Sequence, residues 1–203
     1  MKLYITNTSL YARLARIVVI EKGLQDRVRI LQAETRTRNS PYYEINPSGR
    51  VPYLVDETGI GMEDSRLICA YLDSLDGNPR FHDPGLEADW AYRRIEAMAR
   101  SMCDGIAVWV REMRRPHNER SPSILTHELA RSLRMADAFE TRVAEPLMQG
   151  EPRMAHLILA VALDLARKRG LGDLTIGRPK LGAFLQRLLT LPSMRATSLG
   201  CGK

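Results

Sequence analysis

The sequence predicts an α/β domain over residues 1–78 followed by an all-helical domain over residues 84–203. Two observations carry this prediction. Strand-like and helix-like hydrophobic patterns alternate as far as the turn-forming residues 76–79, in the order β-α-β and then β-β-α, whereas only helical periodicity follows them. A chain of 203 residues is long enough for one large domain or for two small ones, each with its own core.

The first domain begins with a β-α-β unit. Residues 2–6 alternate apolar and polar side chains, which predicts a strand. Ser9 then supplies an N-cap for a helix of regular apolar spacing, and Gly23 ends this helix. Residues 28–31 form the second strand. Because a helix connects the two strands, we expect them to pair in parallel.

A β-β-α unit completes the first domain. Residues 41–45 read as a short helix, and residues 51–55 as a short apolar strand. Pro52 has no N–H for a sheet ladder, so it is expected to open this strand at a bend. After a tight turn, residues 60–62 return antiparallel, and a helix over residues 65–75 closes the unit.

Four helices are predicted for the second domain. Pro116 halts the first helix, Gly150 follows the second, and Pro179 precedes the fourth. The third helix is apolar almost all round, which is typical of the central helix of a bundle. The four predicted helices cover residues 85–115, 123–148, 154–169 and 180–189.

Composition and charge exclude several classes of protein. No apolar run approaches the ~20 residues of a membrane-spanning helix, and the amino end reads as a strand and not as a signal peptide, so we expect a cytoplasmic protein without a membrane partner. The net charge of +6 comes from basic residues scattered among acids, which favours a solvated helical surface over a nucleic-acid site. The three cysteines include no Cys-x-x-Cys pair, so we expect neither disulfides nor a metal site.

The stretch around Val51 and Pro52 carries the clearest chemical signal. If the peptide bond before Pro52 is cis, Val51 turns its backbone N–H and C=O outward, where an extended, peptide-like ligand can pair with them. Asp64 and Ser65 stand where the next helix starts, so unpaired N–H groups, a carboxylate and a hydroxyl would face the same ligand. An ordinary turn, strand and N-cap would give the same pattern.

The order of these signals resembles the cytosolic glutathione transferases, particularly the small bacterial serine-type members. The resemblance covers nearly the whole chain, and its motifs are fairly specific in this order. It implies a thioredoxin-like first domain, an all-helical second domain and a homodimer. The motifs are Thr8-Ser9, residues 21–24, Asn46-Pro47 through Pro52, residues 64–66 with 71–73, and residues 179–181 with 191–193.

The resemblance assigns a glutathione site residue by residue. With a cis bond before Pro52, as the resemblance implies, Val51 would pair its backbone with the cysteinyl part of glutathione. The Asp64 carboxylate would take the γ-glutamyl ammonium, and the Ser65 hydroxyl with the helix N–H groups would take the α-carboxylate. Arg50 is placed to meet the glycyl carboxylate, although a solvated turn residue would look the same.

Ser9 matches the catalytic serine of that family. A hydrogen bond from its hydroxyl, together with the positive end of the first helix, would favour the glutathione thiolate over the thiol and so raise the reactive fraction. The electrophile would lie between the domains near Tyr11, Met102 and Trp109, for which ordinary core packing is the alternative reading.

Two departures from the family pattern stand out. Leu10 occupies a position where many serine-type members have proline, which makes Thr8 an alternative donor. Arg153 and His156 replace the capping pair that commonly starts the central helix, and a lost cap costs about 1 kcal/mol. We interpret His156 as a structural residue of the helix end in preference to a catalytic base.

The function expected from the resemblance is a glutathione transferase, with glutathione as co-substrate and no other cofactor. Residues 7–11 contain no cysteine, which argues against the relatives that reduce mixed disulfides through their own thiol. Reduction of peroxides or disulfides by bound glutathione stays open. A second hypothesis is a non-catalytic member of the fold that binds a protein partner through Arg111, Arg114 and Arg115.

Overall fold

The computed structural model describes residues 1–83, 85 and 89–198, and it divides the chain into two compact units. The first unit contains residues 1–82 together with the segment that begins at Pro192, and the second unit contains residues 83–191. The prediction assigned residues 84–203 to one domain, whereas the described residues from Pro192 onward cluster with the first unit. Residues 84, 86–88 and 199–203 of that predicted domain lie outside the described residues.

The first unit is built on a four-stranded mixed sheet with the strand order β2-β1-β3-β4. Strands β1 and β2 pair in parallel, whereas β3 pairs antiparallel with both β1 and β4. This arrangement confirms the predicted β-α-β and β-β-α order. The strands are β1 (Lys2–Ile5), β2 (Arg29–Gln32), β3 (Tyr53–Val55) and β4 (Gly61–Glu63).

Helices α1 and α3 pack against each other in this unit. Helix α1 starts after Ser9, as predicted, and the chain leaves it through Gly23, whose φ of 63° suits glycine. The fully buried residues Leu3, Ile17 and Leu72 contribute to the core from β1, α1 and α3. The helices up to this point are α1 (Leu10–Glu21), α2 (Tyr42–Ile45) and α3 (Ser65–Ser74).

Asp73, near the end of α3, is a fully buried carboxylate that organises the chain leaving this unit. Its oxygens accept the backbone N–H groups of Arg80, Phe81 and His82 at 2.7–3.0 Å, and the Lys22 ammonium lies 3.4 Å away. Burial alone would raise the pKa of Asp73. The His82 side chain, whose Nδ1 lies 3.6 Å from the carboxylate, and the hydrogen bonds from these N–H groups outweigh burial and lower the pKa to about 2.

The second unit is all-helical, as predicted. Asp89 caps α4 by accepting the Ala91 N–H, and the second helix ends earlier than predicted, at Arg142. Pro146 is the reason, since proline disfavours helical geometry before it and starts a short 3₁₀ turn here. The helices are α4 (Trp90–Met113), α5 (Pro122–Arg142), α6 (Met154–Lys168) and α7 (Pro179–Leu189).

Helix α6 is buried on every side from Met154 to Ala166, which confirms its central place in the bundle. Its start also corrects the expectation of a lost cap. The His156 Nδ1 accepts the Arg153 N–H at 3.2 Å, and the Tyr92 hydroxyl, which comes from α4, accepts the Ala155 N–H at 3.1 Å. Two N–H groups at this helix start therefore have acceptors without a Ser or Thr cap.

The last helix within the described residues, α8 (Pro192–Ala196), belongs to the first unit. It packs on α1, where the guanidinium of Arg13 is buried with only 2% of the residue exposed. Arg13 donates to the Met194 carbonyl at 3.1 Å and to the Thr197 hydroxyl at 3.3 Å. A buried arginine needs such acceptors, so these bonds explain why the segment from Pro192 onward joins the first unit.

Within the described residues, none of the helices is both long enough and apolar enough to cross a membrane.

Candidate functional site

Three strand ends meet at one end of the sheet of the first unit. Tyr4 of β1 lies opposite Tyr53 of β3, and Tyr53 in turn lies opposite Glu63 of β4. Because the pairing is antiparallel, the end of β1, the start of β3 and the end of β4 share one edge. The loops that follow or precede these ends carry the predicted site residues.

The Val51–Pro52 peptide bond is cis, which is the condition for the predicted pairing of Val51 with an extended ligand. Val51 precedes β3 and lies outside the sheet ladder. Neither its N–H nor its C=O makes a hydrogen bond to any described residue. A backbone donor and a backbone acceptor therefore stand unpaired next to the shared edge of the sheet.

The turn before Val51 is held by two buried side chains. The Arg50 carbonyl accepts hydrogen bonds from the Tyr42 hydroxyl at 2.5 Å and from the Asn46 side-chain amide at 3.0 Å. Gly49 has a φ of 63°, and a Cβ added there would lie 2.8 Å from the Tyr43 ring, so this turn needs glycine. The Arg50 side chain is exposed, as its predicted role at a ligand carboxylate requires.

Asp64 and Ser65 form the start of α3. The Asp64 Oδ1 accepts the N–H groups of Arg66 and Leu67 at 2.8 and 3.3 Å, so the carboxylate caps the helix. Oδ2 has no hydrogen-bond partner among the described residues and stays available to a ligand cation. Ser65 is half-exposed at the first helical position, where its own N–H precedes the first turn of the helix.

Asp64 also has an unusual backbone. Its φ is 75° and its ψ is 119°, a region that residues other than glycine rarely occupy. Such a conformation costs on the order of 1–3 kcal/mol and is common at ligand-binding positions. This backbone conformation could not be predicted, because an aspartate before a helix reads as a plain N-cap.

Ser9 caps α1. Its Oγ accepts the Ala12 N–H at 3.2 Å, which leaves the hydroxyl proton for another acceptor. Leu10 is buried as the first residue of the helix, which starts directly after Ser9 without a proline. Thr8, the alternative donor, is exposed.

The three residues predicted for the electrophile pocket are distributed over both units. Tyr11 is half-buried on α1 of the first unit. Met102 and Trp109 lie on α4 of the second unit and are 1% and 6% exposed. Their burial fits the alternative reading of core packing, and the pocket itself stays a prediction. No group of potential metal ligands occurs among the described residues.

Sequence reasoning missed the residues that support the site. The sequence indicates Asn46 only as part of the Asn46-Pro47 turn, but its side-chain amide donates to the Arg50 carbonyl and its Oδ1 accepts the Ser48 N–H at 3.2 Å. Tyr42 is predicted only as part of a short helix. The signal that could have found Asn46 is its place two residues before Ser48, which is the spacing of an Asx turn.

Comparisons with known proteins give a consistent family. Residues 3–80 match the family model for the glutathione S-transferase N-terminal domain. The chain is also similar to the uncharacterized GST-like protein YibF of Escherichia coli K12, with 28% identity over 201 residues, which is 97% of this chain and 98% of YibF.

Solved structures share the fold over nearly the whole chain. A glutathione S-transferase from Methylobacillus flagellatus KT with GSH bound superimposes with a TM-score of 0.82, 24% identity, and coverage of 97% of this chain and 98% of its own. A glutathione transferase family member from Pseudomonas fluorescens Pf-5 with bound glutathione gives the same four values. Together with the mixed sheet and the helical unit, these likenesses confirm the predicted thioredoxin-like domain followed by a helical domain.

Proposed function

We propose that the chain is a member of the glutathione S-transferase family, whose N-terminal-domain model matches residues 3–80, and that it binds glutathione and directs the glutathione thiolate at a small electrophile. The observation that carries the proposal is the shared sheet edge, where the unpaired N–H and C=O of Val51 lie beside the helix start formed by Asp64 and Ser65. The bound glutathione of the two solved relatives supports the same ligand.

Each polar group of glutathione has a complementary group in the first unit. The Val51 N–H and C=O match the main chain of the cysteinyl residue. The free Oδ2 of Asp64 matches the γ-glutamyl ammonium, and the Ser65 hydroxyl with the first N–H groups of α3 matches the α-carboxylate. The exposed guanidinium of Arg50 matches the glycyl carboxylate.

Ser9 is the proposed catalytic residue. Its Oγ already accepts the Ala12 N–H, which polarises the hydroxyl and orients the remaining proton. A hydrogen bond from the Ser9 hydroxyl to the glutathione sulfur stabilises the thiolate and so lowers the pKa of the bound thiol. The thiol proton passes to water, and the thiolate then uses its electron pair to form the bond to the electrophilic carbon. That carbon either expels a leaving group with its bonding pair, or the adduct takes up a proton from water.

A titration calorimetry experiment with reduced glutathione tests the binding site. We expect the parent to bind saturably and Asp64→Asn to bind at least tenfold more weakly, because asparagine keeps the helix cap but removes the charge that pairs with the ammonium. The matched control is Asp56→Asn, which removes a carboxylate at the opposite end of β3, where it holds only its own turn. Absence of saturable binding by the parent, or equal binding by all three proteins, overturns the proposed site.

Turnover of a model electrophile tests Ser9. We expect Ser9→Ala to lower kcat by ten- to a hundredfold with little change in glutathione affinity, and to move the pH–rate profile to higher pH, because the pKa of the bound thiol rises without the hydroxyl donor. Ser9→Asp is the informative companion, since aspartate keeps an acceptor for the Ala12 N–H but has no proton for the thiolate. An Ala variant as fast as the parent would exclude Ser9 from the chemistry.

The same assay separates the remaining hypotheses. Peroxides and small disulfides, offered alongside conjugation substrates, distinguish glutathione-dependent reduction from conjugation. A protein that binds glutathione but converts none of these substrates would favour the non-catalytic alternative. We also expect a homodimer, which light scattering of the purified protein measures directly.

A further inference from the structure

We propose that Tyr42 and Asn46 are positioning residues that fix the direction of the Val51 N–H, and through it the binding of the ligand main chain. The inference rests on the proposed function for the identity of the ligand. The orientation of the Val51 amide itself is a property of the ligand-free protein.

The Arg50 carbonyl is the point at which both side chains act. It accepts one hydrogen bond from the Tyr42 hydroxyl and a second from the Asn46 amide, so both of its lone pairs are used. Tyr42 and Asn46 are only 4% and 2% exposed. The carbonyl is therefore directed toward the interior of the first unit.

Because the Arg50 C=O and the Val51 N–H belong to one planar peptide group, fixing the carbonyl also fixes the direction of the N–H. The only cis bond among the described residues is Val51–Pro52, so the bond between Arg50 and Val51 is trans. In a trans peptide the C=O and the N–H point in opposite directions. With the Arg50 carbonyl held inward, the Val51 N–H must point away from Tyr42 and Asn46, and it is unpaired among the described residues.

Both positioning residues are themselves held. The Tyr42 ring packs against Tyr4 of β1, with ring centroids 5.6 Å apart. Asn46 accepts the Ser48 N–H through Oδ1 and donates its own N–H to the Tyr42 carbonyl at 2.9 Å. Neither side chain can rotate away from the Arg50 carbonyl without losing a second contact.

Two substitutions and one control separate the orientation of the Val51 N–H from general packing. Tyr42→Phe removes the hydroxyl donor and keeps the ring on Tyr4. Asn46→Asp keeps the acceptor for the Ser48 N–H but places a carboxylate against the Arg50 carbonyl, where the amide donated. Tyr43→Phe is the control, because this neighbouring hydroxyl makes no hydrogen bond within the described part of the chain.

The first readout needs no ligand. In ¹⁵N–¹H spectra of the full chain, we expect Tyr42→Phe and Asn46→Asp to shift or broaden the Val51 amide signal and to speed its hydrogen exchange, whereas Tyr43→Phe leaves both unchanged. A Val51 signal that stays at its parent position in Tyr42→Phe and in Asn46→Asp overturns the inference, whatever the protein binds.

The second readout is the affinity for reduced glutathione. We expect Tyr42→Phe to weaken it roughly three- to tenfold, the loss of about one hydrogen bond, and Asn46→Asp to weaken it further. The glutathione KM rises accordingly, while the pH profile of turnover, which reports the thiol near Ser9, stays that of the parent. Equal affinities of Tyr42→Phe, Asn46→Asp and Tyr43→Phe contradict the inference, whereas a parent with the expected Val51 signals but no glutathione binding contradicts the proposed function alone.

Discussion

Asp64 shows at the scale of one residue how binding and stability are in conflict. Its carboxylate caps α3, but its backbone lies at a φ of 75°, where an L-residue is strained. The residue directly follows β4, at the edge where β3 starts and β4 ends. We interpret the strain as the cost of presenting Oδ2 to a cation while Oδ1 keeps the helix cap.

A pair of substitutions measures that strain. Asp64→Gly and Asp64→Ala both remove the carboxylate, but only glycine accommodates the positive φ without a penalty. We therefore expect the free energy of unfolding of the Gly variant to exceed that of the Ala variant by about 1–2 kcal/mol, measured by urea denaturation. Both variants should lose glutathione affinity equally. Equal stabilities would mean that the backbone relaxes at this position.

At the scale of the element, the start of α6 shows how a cap can be replaced by side chains of a different kind. His156 is fully buried, its ring stacks on Phe184 at 5.9 Å, and its Nδ1 accepts the Arg153 N–H. Desolvation, with smaller contributions from the positive charges of Arg187 and Arg153, outweighs the opposing effect of the nearby Met148 backbone and lowers the pKa of His156 to about 4. The imidazole is therefore neutral at pH 7, which the acceptor role of Nδ1 requires.

This pKa predicts a pH dependence of stability. The unfolded chain protonates His156 near pH 6.5, whereas the folded protein resists protonation until about pH 4. The contribution of neutral His156 to the free energy of unfolding is therefore complete above pH 6.5. It is lost as the pH falls from 6.5 toward 4, and the loss is on the order of 3 kcal/mol. We expect His156→Gln to flatten this part of the pH profile in urea denaturation, and His127→Gln, at an exposed position, to leave it as in the parent. A parent-like slope in His156→Gln would assign the dependence to another group.

The start of α6 also shows which features could be predicted from the sequence and which could not. The burial of α6 could be read from its apolar residues, since periodicity is a local property. The missing Ser or Thr cap was also visible, but the Tyr92 hydroxyl that takes the Ala155 N–H comes from 63 positions earlier in the chain. Likewise, the helix start at Ser65 could be predicted from local residue types, whereas the cis bond before Pro52 entered only as a condition and through the family resemblance. The two bonds to the Arg50 carbonyl and the backbone of Asp64 could not be predicted, because they depend on tertiary packing.

At the scale of the whole molecule, Arg13 links α1 to a segment that lies more than 180 positions later. Its guanidinium is buried and donates to the Met194 carbonyl and the Thr197 hydroxyl. Thr197 is itself 1% exposed and donates to the Ser193 carbonyl at 2.8 Å. The segment from Pro192 is thus an integral part of the first unit, which residues 1–82 alone do not complete.

A substitution of nearly equal size tests this link. Thr197→Val removes the hydroxyl that accepts from Arg13, and we expect a loss of about 1–3 kcal/mol in the free energy of unfolding, because a buried charged donor loses an acceptor. Thr190→Val is the matched control, since the Thr190 hydroxyl is exposed and bonds only the Arg187 carbonyl; its effect should stay within about 0.5 kcal/mol. Similar losses in both variants would show that the Arg13 bond to Thr197 adds no stability.

The return of the chain to the first unit also bears on the order in which the protein is made. Domains generally fold as units while the ribosome synthesises the chain from its amino end. Here α1 emerges early, but its partner α8 emerges only after all of residues 83–191 have been translated. For most of translation the Arg13 guanidinium therefore lacks the Met194 and Thr197 acceptors, and the nascent first unit can reach its full stability only after the entire helical unit has left the ribosome.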